Sequence, residues 1–390
     1  MSLNLITDHV DKGRIYPAFA RHQAAPYTQA WREFGQHWPY TIPIRLQEYC
    51  DHHGVKLNIV DIDSEWPVNA FYPVGLGFFD FGIDYFELLP ERIRTGLFFD
   101  DVRVLFYYHE GDNPFRIKTR LDELCTKHDL RNNCYKFVSG NTAARDILGF
   151  VYFADFELWY YQRNRASPAL KIHSEPRAFD FTVLNRLHKS WRATAMTDLR
   201  HNGILDNSYW SYCETGKLDN DNPIEIDTIS GLRTRTEQFL KSAPYISDEL
   251  DFDQRNDHST LVPKYHVNSY CNIVMETHFD IGGGTFLTEK TFKPIKHGQL
   301  FFIAGPAGSL QVLRDLGYRV FDGVLDNSYD LEPNATQRWM ALVRSIYFTK
   351  LDLPQLFELC RPDIEYNQQL FQASKAQRLN TLIKEINEYH

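Results

Sequence analysis

Three consecutive glycines, Gly282 to Gly284, stand just ahead of the segment Phe286-Leu287-Thr288-Glu289-Lys290-Thr291-Phe292-Lys293-Pro294-Ile295. An apolar run, Leu300 to Ala304, follows it. A flexible loop, a helix start bearing Thr288, Glu289 and Lys290, and then a buried strand suit a phosphorylated ligand. The first backbone N–H groups of a helix have no intrahelical partner and favour anions. Lys290 and Lys293 add positive charge, and Glu289 is suited to accept hydrogen bonds from ribose hydroxyls.

A second cluster, Leu184-Asn185-Arg186-Leu187-His188-Lys189-Ser190-Trp191-Arg192, falls where a strand gives way to a helix. Its side chains are therefore expected at the carboxyl edge of a sheet. Arginine grips phosphate oxygens in a planar fork. Cations at a helix start oppose its dipole, so their presence there points to a bound anion. Arg186 is expected to lead in phosphate binding, with Arg192 second. Glu276, at the end of another apolar run, either faces the same ligand or serves as a structural hydrogen-bond acceptor.

Other chemistry finds less support. The chain has no Gly-x-Gly-x-x-Gly after a strand, no Walker loop, no Gly-x-Ser-x-Gly elbow and no His-Glu-x-x-His. The Asp-x-Asp pairs Asp61/Asp63 and Asp251/Asp253 have a spacing able to hold a divalent ion on a diphosphate. Such pairs also arise readily by chance, and the expectation is a site without metal.

The elements that must position these residues alternate between strand and helix. Val55 to Val60, Val102 to Tyr108 and Tyr135 to Ser139 read as strands, with Phe115 to His128 as a helix between the last two. A polar stretch, Gln162 to Glu175, reads as a linker. Beyond it come strands at 179–184, 208–213, 272–277, 300–304 and 318–321. Helices are expected at 189–201, 231–241, 309–316, 335–348 and 364–389, with Pro294 bending or ending the one that starts at Thr288. The expected domains are 1–165, 176–362 and a C-terminal helix, 363–390, that packs back on the N-terminal domain. Two α/β halves joined by a linker imply a cleft, where ligands usually sit.

Bulk properties agree with that picture. A chain of 390 residues exceeds one ordinary core. With 43% apolar and 24% charged residues, it is globular in composition. The formal net charge of −9 disfavours broad nucleic-acid binding. Its 15% aromatics fit core packing first, although Trp159 to Tyr161 and the Phe78 to Phe86 rings are of a type that stacks on sugars. Six scattered cysteines without a Cys-x-x-Cys pair read as reduced thiols. Met1 to Gly13 lacks a signal-peptide core, and no apolar run reaches the length of a membrane span, so a cytoplasmic location is expected, the host cytoplasm if the chain is viral.

Leu-Asn-Arg followed by Arg192, paired with the later Phe-Leu-Thr-Glu-Lys-Thr-Phe-Lys-Pro-Ile, resembles the donor half of nucleotide-sugar glycosyltransferases. It resembles the α1,3-fucosyltransferase family, whose donor motif runs aromatic-x-Thr-Glu-Lys. The chain also resembles glycosyltransferase-like proteins of bacteriophages. The resemblance covers mainly residues 179–325; Lys293-Pro294 departs from it, and the N-terminal half shows no match. It implies a GT-B fold, two Rossmann-like domains facing a cleft with the donor in the C-terminal half. It also implies roles for Arg186 and Lys290 at the donor diphosphate and for Glu289 at the ribose; Arg192, Glu276 and Thr288 complete the expected donor-binding set. A nucleotide-diphosphate sugar would be co-substrate, and the acceptor a glycan, a protein or a modified nucleic acid.

Transfer to a hydroxyl needs a base. His109-Glu110-Gly111-Asp112 follows the buried strand 102–108, so its side chains are expected at the cleft. Glu110 is the first candidate, with Asp112 and His109 next; alternatively, Asp112-Asn113-Pro114 caps the following helix. Two rival readings remain: a non-catalytic accessory protein that keeps the fold, and an α/β enzyme acting on a sugar phosphate.

Overall fold

The computed structural model describes residues 2–7, 10–11, 14–15, 42–76, 79–246 and 262–388. The chain divides into two compact units. One is Met1–Leu158 together with Ser374–His390, and the other is Trp159–Ala373. Asp251, Asp253 and Phe78 lie outside the described residues.

In chain order, the first unit contains β1 (Leu3–Thr7), the two-residue strands β2 (Val10–Asp11) and β3 (Arg14–Ile15), α1 (Ile42–His53), β4 (Leu57–Asp61) and β5 (Ala70–Leu76). Then come α2 (Glu91–Phe98), β6 (Val102–Tyr108), α3 (Pro114–Lys127), β7 (Tyr135–Ser139), β8 (Phe150–Tyr152) and α4 (Asp155–Arg163), within which the chain passes to the second unit. Six strands form one parallel sheet in the order β4-β1-β5-β6-β7-β8. Every residue of β5, β6 and β7 is buried. This explains why 102–108, broken only by Arg103, reads as a near-continuous apolar run rather than an alternation. Asn113 accepts from the Phe115 N–H at 3.0 Å and Pro114 occupies the first turn, so α3 begins as its sequence dictates. Phe106, Phe137 and Phe150 interlock at the centre of the core, the last two stacked at 4.7 Å.

The second unit holds β9 (Phe179–Asn185), α5 (Ser190–His201), β10 (Ser208–Tyr212), α6 (Leu232–Ser242), α7 (Pro263–Val267) and β11 (Ser269–Met275). It continues with α8 (Glu289–His297), β12 (Leu300–Ala304), α9 (Ser309–Asp315), α10 (Ala335–Lys350) and α11 (Leu353–Ala373). Its four strands are parallel in the order β10-β9-β11-β12. The sheet grows outward in both directions from β9 and β11. The gap between their carboxyl ends is thus a strand-order switch point, where open α/β sheets bind ligands. Both units are Rossmann-like in this sense. Ser190 to Leu199 are all buried, so α5 is a central helix.

Three expectations are corrected. Residues 318–321 form no strand: Phe321 adopts φ +63, and the side chain of Asn367 on α11 bonds both to the Arg319 N–H and to its carbonyl, taking the place of a neighbouring strand. Pro294 does not end its helix, which runs on to His297 and stops at Gly298, φ +73. The expected helix at 364–389 is two helices, broken at Ser374; the second is α12 (Lys375–Asn387). That helix returns to the first unit, where it packs on α1, β1 and β8. Lys375 and Arg378 both pair there with the buried carboxylate of Glu157. The six cysteines are free thiols. Among the described residues, no helix is long and apolar enough to cross a membrane.

Candidate functional site

The sequence cluster in the second unit converges on the carboxyl ends of β9 and β11. Glu276 follows β11 and is fully buried. One of its oxygens accepts from the Thr288 N–H at 3.0 Å and the Thr291 hydroxyl at 2.6 Å. The other accepts from the Thr277 N–H at 3.0 Å and the Thr288 hydroxyl at 2.7 Å. Thr288 makes no side-chain cap of its own, so Glu276 caps α8 from the strand beside it. The four bonds explain why a carboxylate sits at the end of a buried strand.

Thr277 is where two cations meet. Lys189, at the N-cap of α5, donates to the Thr277 carbonyl at 2.6 Å. Lys290, in the first turn of α8, donates to the Thr277 hydroxyl at 3.2 Å, to the Thr288 hydroxyl at 3.1 Å and to Glu289 at 3.1 Å. Glu289 is buried, whereas Lys290 keeps 31% of its side chain exposed. Two ammonium groups and two helix starts therefore share one corner of the sheet. Lys293 lies one turn further on and opposes protonation of His266 and His297.

Arg192 reaches the same corner from inside. Its guanidinium donates to the Leu187 carbonyl at 3.4 Å, to Met275 at 3.3 Å and to Glu276 at 2.6 Å. It ties the β9–α5 turn to the end of β11. Burial pushes its pKa down to about 10, against the supporting charges of Glu276 and Glu289, so it stays charged at neutral pH. Half-buried Arg186 lies near enough to oppose that charge. His188 is held by the Tyr212 hydroxyl at 2.7 Å and the Lys217 carbonyl at 2.9 Å, which shapes the turn.

Several further residues carry weight that sequence reasoning did not assign. Asn185 closes β9, is 2% exposed, and neither its amide nitrogen nor its amide oxygen has a partner among the described residues. The Trp191 indole nitrogen and the Arg192 Nε are buried in the same state. Tyr212, the register partner of Asn185, sends its hydroxyl to His188, so this face of the sheet lies under the β9–α5 turn. Buried polar groups are normally satisfied, and a cluster that is not marks a place for a ligand or water. An Asn at the end of β9, just ahead of the charged turn, was the available signal.

The glycine loop is anchored at its base. Phe279 packs between Trp191 and Trp339, with ring centroids at 5.2 and 6.1 Å, and Arg338 stacks on it at 4.7 Å. Arg338 also donates to the Phe279 carbonyl at 2.7 Å and the Gly305 carbonyl at 3.2 Å. Nothing in the sequence links Arg338 to this loop. Gly282, Gly283 and Gly284 are exposed and all have positive φ, +65, +146 and +69, a path closed to other residues without strain.

In the first unit, the structure brings His109, Glu110 and Asp112 together just after β6. His109 is buried and lies 3.3 Å from Glu110, whose side chain is one-third exposed. Asp112 accepts the Tyr108 hydroxyl, while Asn113 caps α3. Burial and the Asp112 charge drive the Tyr108 pKa far upward. Asn141, at the end of β7, donates to the Gly111 carbonyl at 3.0 Å and so clamps this turn. Asp61 accepts from the Asp63 N–H at 2.8 Å, and Asp63 pairs with Arg92 at 3.6 Å. Among the described residues, no group of three or more His, Cys, Asp and Glu is arranged to hold a metal ion.

No protein-family model matches the chain, and no curated protein matches it. Two solved structures resemble it over 100% of both chains. One is the DNA modifying enzyme beta-glucosyltransferase, solved in the presence and absence of its substrate uridine diphosphoglucose, at 9% identity and a TM-score of 0.37. The other is a T4 phage BGT mutant in complex with UDP-glucose, at 10% identity and a TM-score of 0.36. Both likenesses are shallow, and the functional reading rests on the chain's own residues.

Proposed function

We propose that the chain is a glycosyltransferase that draws on a nucleotide-diphosphate sugar bound at the β9/β11 switch point. One observation carries this reading: Lys189 and Lys290 converge on Thr277 beside two helix starts, with unpartnered Asn185, Trp191 and Arg192 groups buried next to them. A diphosphate is the ligand class that such a corner neutralises. Arg186 and Lys290 take the phosphate oxygens and stabilise the departing diphosphate. Glu289 accepts from the ribose. Glu276 and Arg192 act by holding the two turns in place. The Thr288-Glu289-Lys290 segment that carries the fucosyltransferase resemblance is the same α8 start. No metal is required, because side chains and helix dipoles meet the diphosphate charge. Glu110 is the proposed base for the acceptor hydroxyl, and His109, 3.3 Å away, tunes it.

The test is release of nucleoside diphosphate from a panel of sugar nucleotides that begins with UDP-glucose, the ligand of both similar structures. The reading expects one donor to be turned over, and Glu110→Gln to lower kcat by about a hundredfold or more with little change in donor KM. Donor binding without turnover, unaffected by Glu110→Gln, would instead identify a binding protein that keeps the fold.

A further inference from the structure

A cavity of about 490 Å³ opens at the amino edge of the first unit's sheet. Its floor is the start of β5 and β6, at Asn69 and Val102. One wall is α2, through Arg92 and Thr95, and the other is the segment bearing Glu65 and Trp66. The volume lies within the roughly 300–1,000 Å³ of small-molecule sites. β6 runs seven residues from this cavity to Tyr108, roughly 20 Å, so the His109–Glu110 turn lies at the opposite edge.

The aromatic element of this site is already built. The Trp66 indole N–H donates to the Ile62 carbonyl at 3.0 Å, which fixes the ring. The ring edge rests on Gly96, where an added Cβ would lie 2.5 Å from it. Arg92 stacks on the ring at 4.9 Å, tied in turn to the Ser64 carbonyl at 2.8 Å and to Asp63 at 3.6 Å. Asn69 and Asp100, both on the lining, hold φ of +58 and +65. Left-handed backbone at a non-glycine residue costs about 1 kcal/mol and is concentrated at functional sites. Val68 on the lining is 84% exposed, and Phe98 and Phe99, next to Asp100 in the chain, are 63% and 65% exposed.

The charge pattern selects the ligand. Arg92 is matched by Asp63, and Asp100 by Arg131 at 2.9 Å, while Glu65 and Asp101 add carboxylates to the lining. Buried Arg103 is the lining's other cation, so three carboxylates, Glu65, Asp100 and Asp101, stand against two guanidiniums, Arg92 and Arg103, a balance that disfavours a phosphate or a nucleic acid. A purely apolar ligand would strand the carboxylates and the amide. A sugar ring satisfies both demands, with an apolar C–H face for the Trp66 side and hydroxyls for Glu65, Asn69 and Asp101.

We infer that this cavity is a non-catalytic binding site for a neutral oligosaccharide. The inference stands whether or not the chain transfers sugar. The test uses the full chain and isothermal titration with maltohexaose, cellohexaose, chitohexaose and xylohexaose, and with a heparin hexasaccharide as the anionic control. At least one neutral hexasaccharide is expected to bind saturably at millimolar concentration or below. Trp66→Ala and the surface variant Asp101→Ala are each expected to weaken it about tenfold, and Arg186→Ala to leave it unchanged. Tryptophan fluorescence is expected to shift on binding in the parent and not in Trp66→Phe. The inference is overturned if none of the four binds, if binding survives both alanine variants, or if only the heparin fragment binds.

Discussion

Replacing Glu276 with Gln changes one atom of a buried side chain, and the structure states the consequence. Each Glu276 oxygen accepts from one backbone N–H and one threonine hydroxyl. A hydroxyl can turn and accept from the new amide, but a backbone N–H cannot. Whichever way the amide is oriented, its NH₂ faces the N–H of Thr277 or of Thr288, and a buried donor is left unsatisfied at about 1–3 kcal/mol. The remaining bonds lose their charge-assisted character, at about 1 kcal/mol more. The expected loss is therefore about 3 kcal/mol, a large fraction of the stability of an ordinary domain. Urea unfolding at neutral pH reads it as a lower midpoint with an unchanged slope. Because the same bonds seat the start of α8, nucleotide binding is expected to weaken as well. A Glu276→Gln protein within about 0.5 kcal/mol of the parent would refute the capping role.

Two other outcomes follow from the same unit. Gly283→Ala meets no atom within 4 Å, so its cost is backbone strain at φ +146 alone, about 1–3 kcal/mol; an unchanged urea midpoint would contradict the loop geometry. Burial lowers the pKa of His266 to about 4 and that of His297 to about 2, below the 6.5 of an unfolded chain. Above pH 6.5 both states are neutral; as pH falls, the unfolded chain takes up protons first, so stability drops between pH 6.5 and 4. The drop is about 2 kcal/mol for each histidine on going from pH 7 to 5. Equal urea midpoints at the two pH values would show that these rings are not buried neutral.

The strands that carry the two candidate sites were legible because full burial leaves a mark in the chain. Val102 to Tyr108 and Tyr135 to Ser139 have the bounds their apolar runs imply. The glycine loop and the charged helix start at Thr288 were equally readable, since their local chemistry has few other uses. The roles inside the cluster were less so. Arg192 and Arg186 look alike in sequence, yet Arg192 is committed to three carbonyls and Arg186 is only half-buried. Glu276 was open to two readings because a carboxylate at a strand end serves a ligand or a helix cap equally well. Non-local partners were invisible: Arg338 grips the Phe279 carbonyl from 59 residues away. Phe321 failed for a related reason, since its left-handed backbone and the bonds from Asn367 to Arg319 outweigh local propensity there.

The central claim is that the β9/β11 corner binds a nucleoside diphosphate. Isothermal titration of the full chain with UDP, GDP, ADP, CDP and dTDP tests it most directly, repeated with Arg186→Ala and Lys290→Ala. Removing one charged hydrogen bond to phosphate costs about 1.5–3 kcal/mol, so each variant is expected to weaken the best ligand roughly tenfold to a hundredfold. No binding by any of the five, or binding that both variants leave intact, would contradict the account.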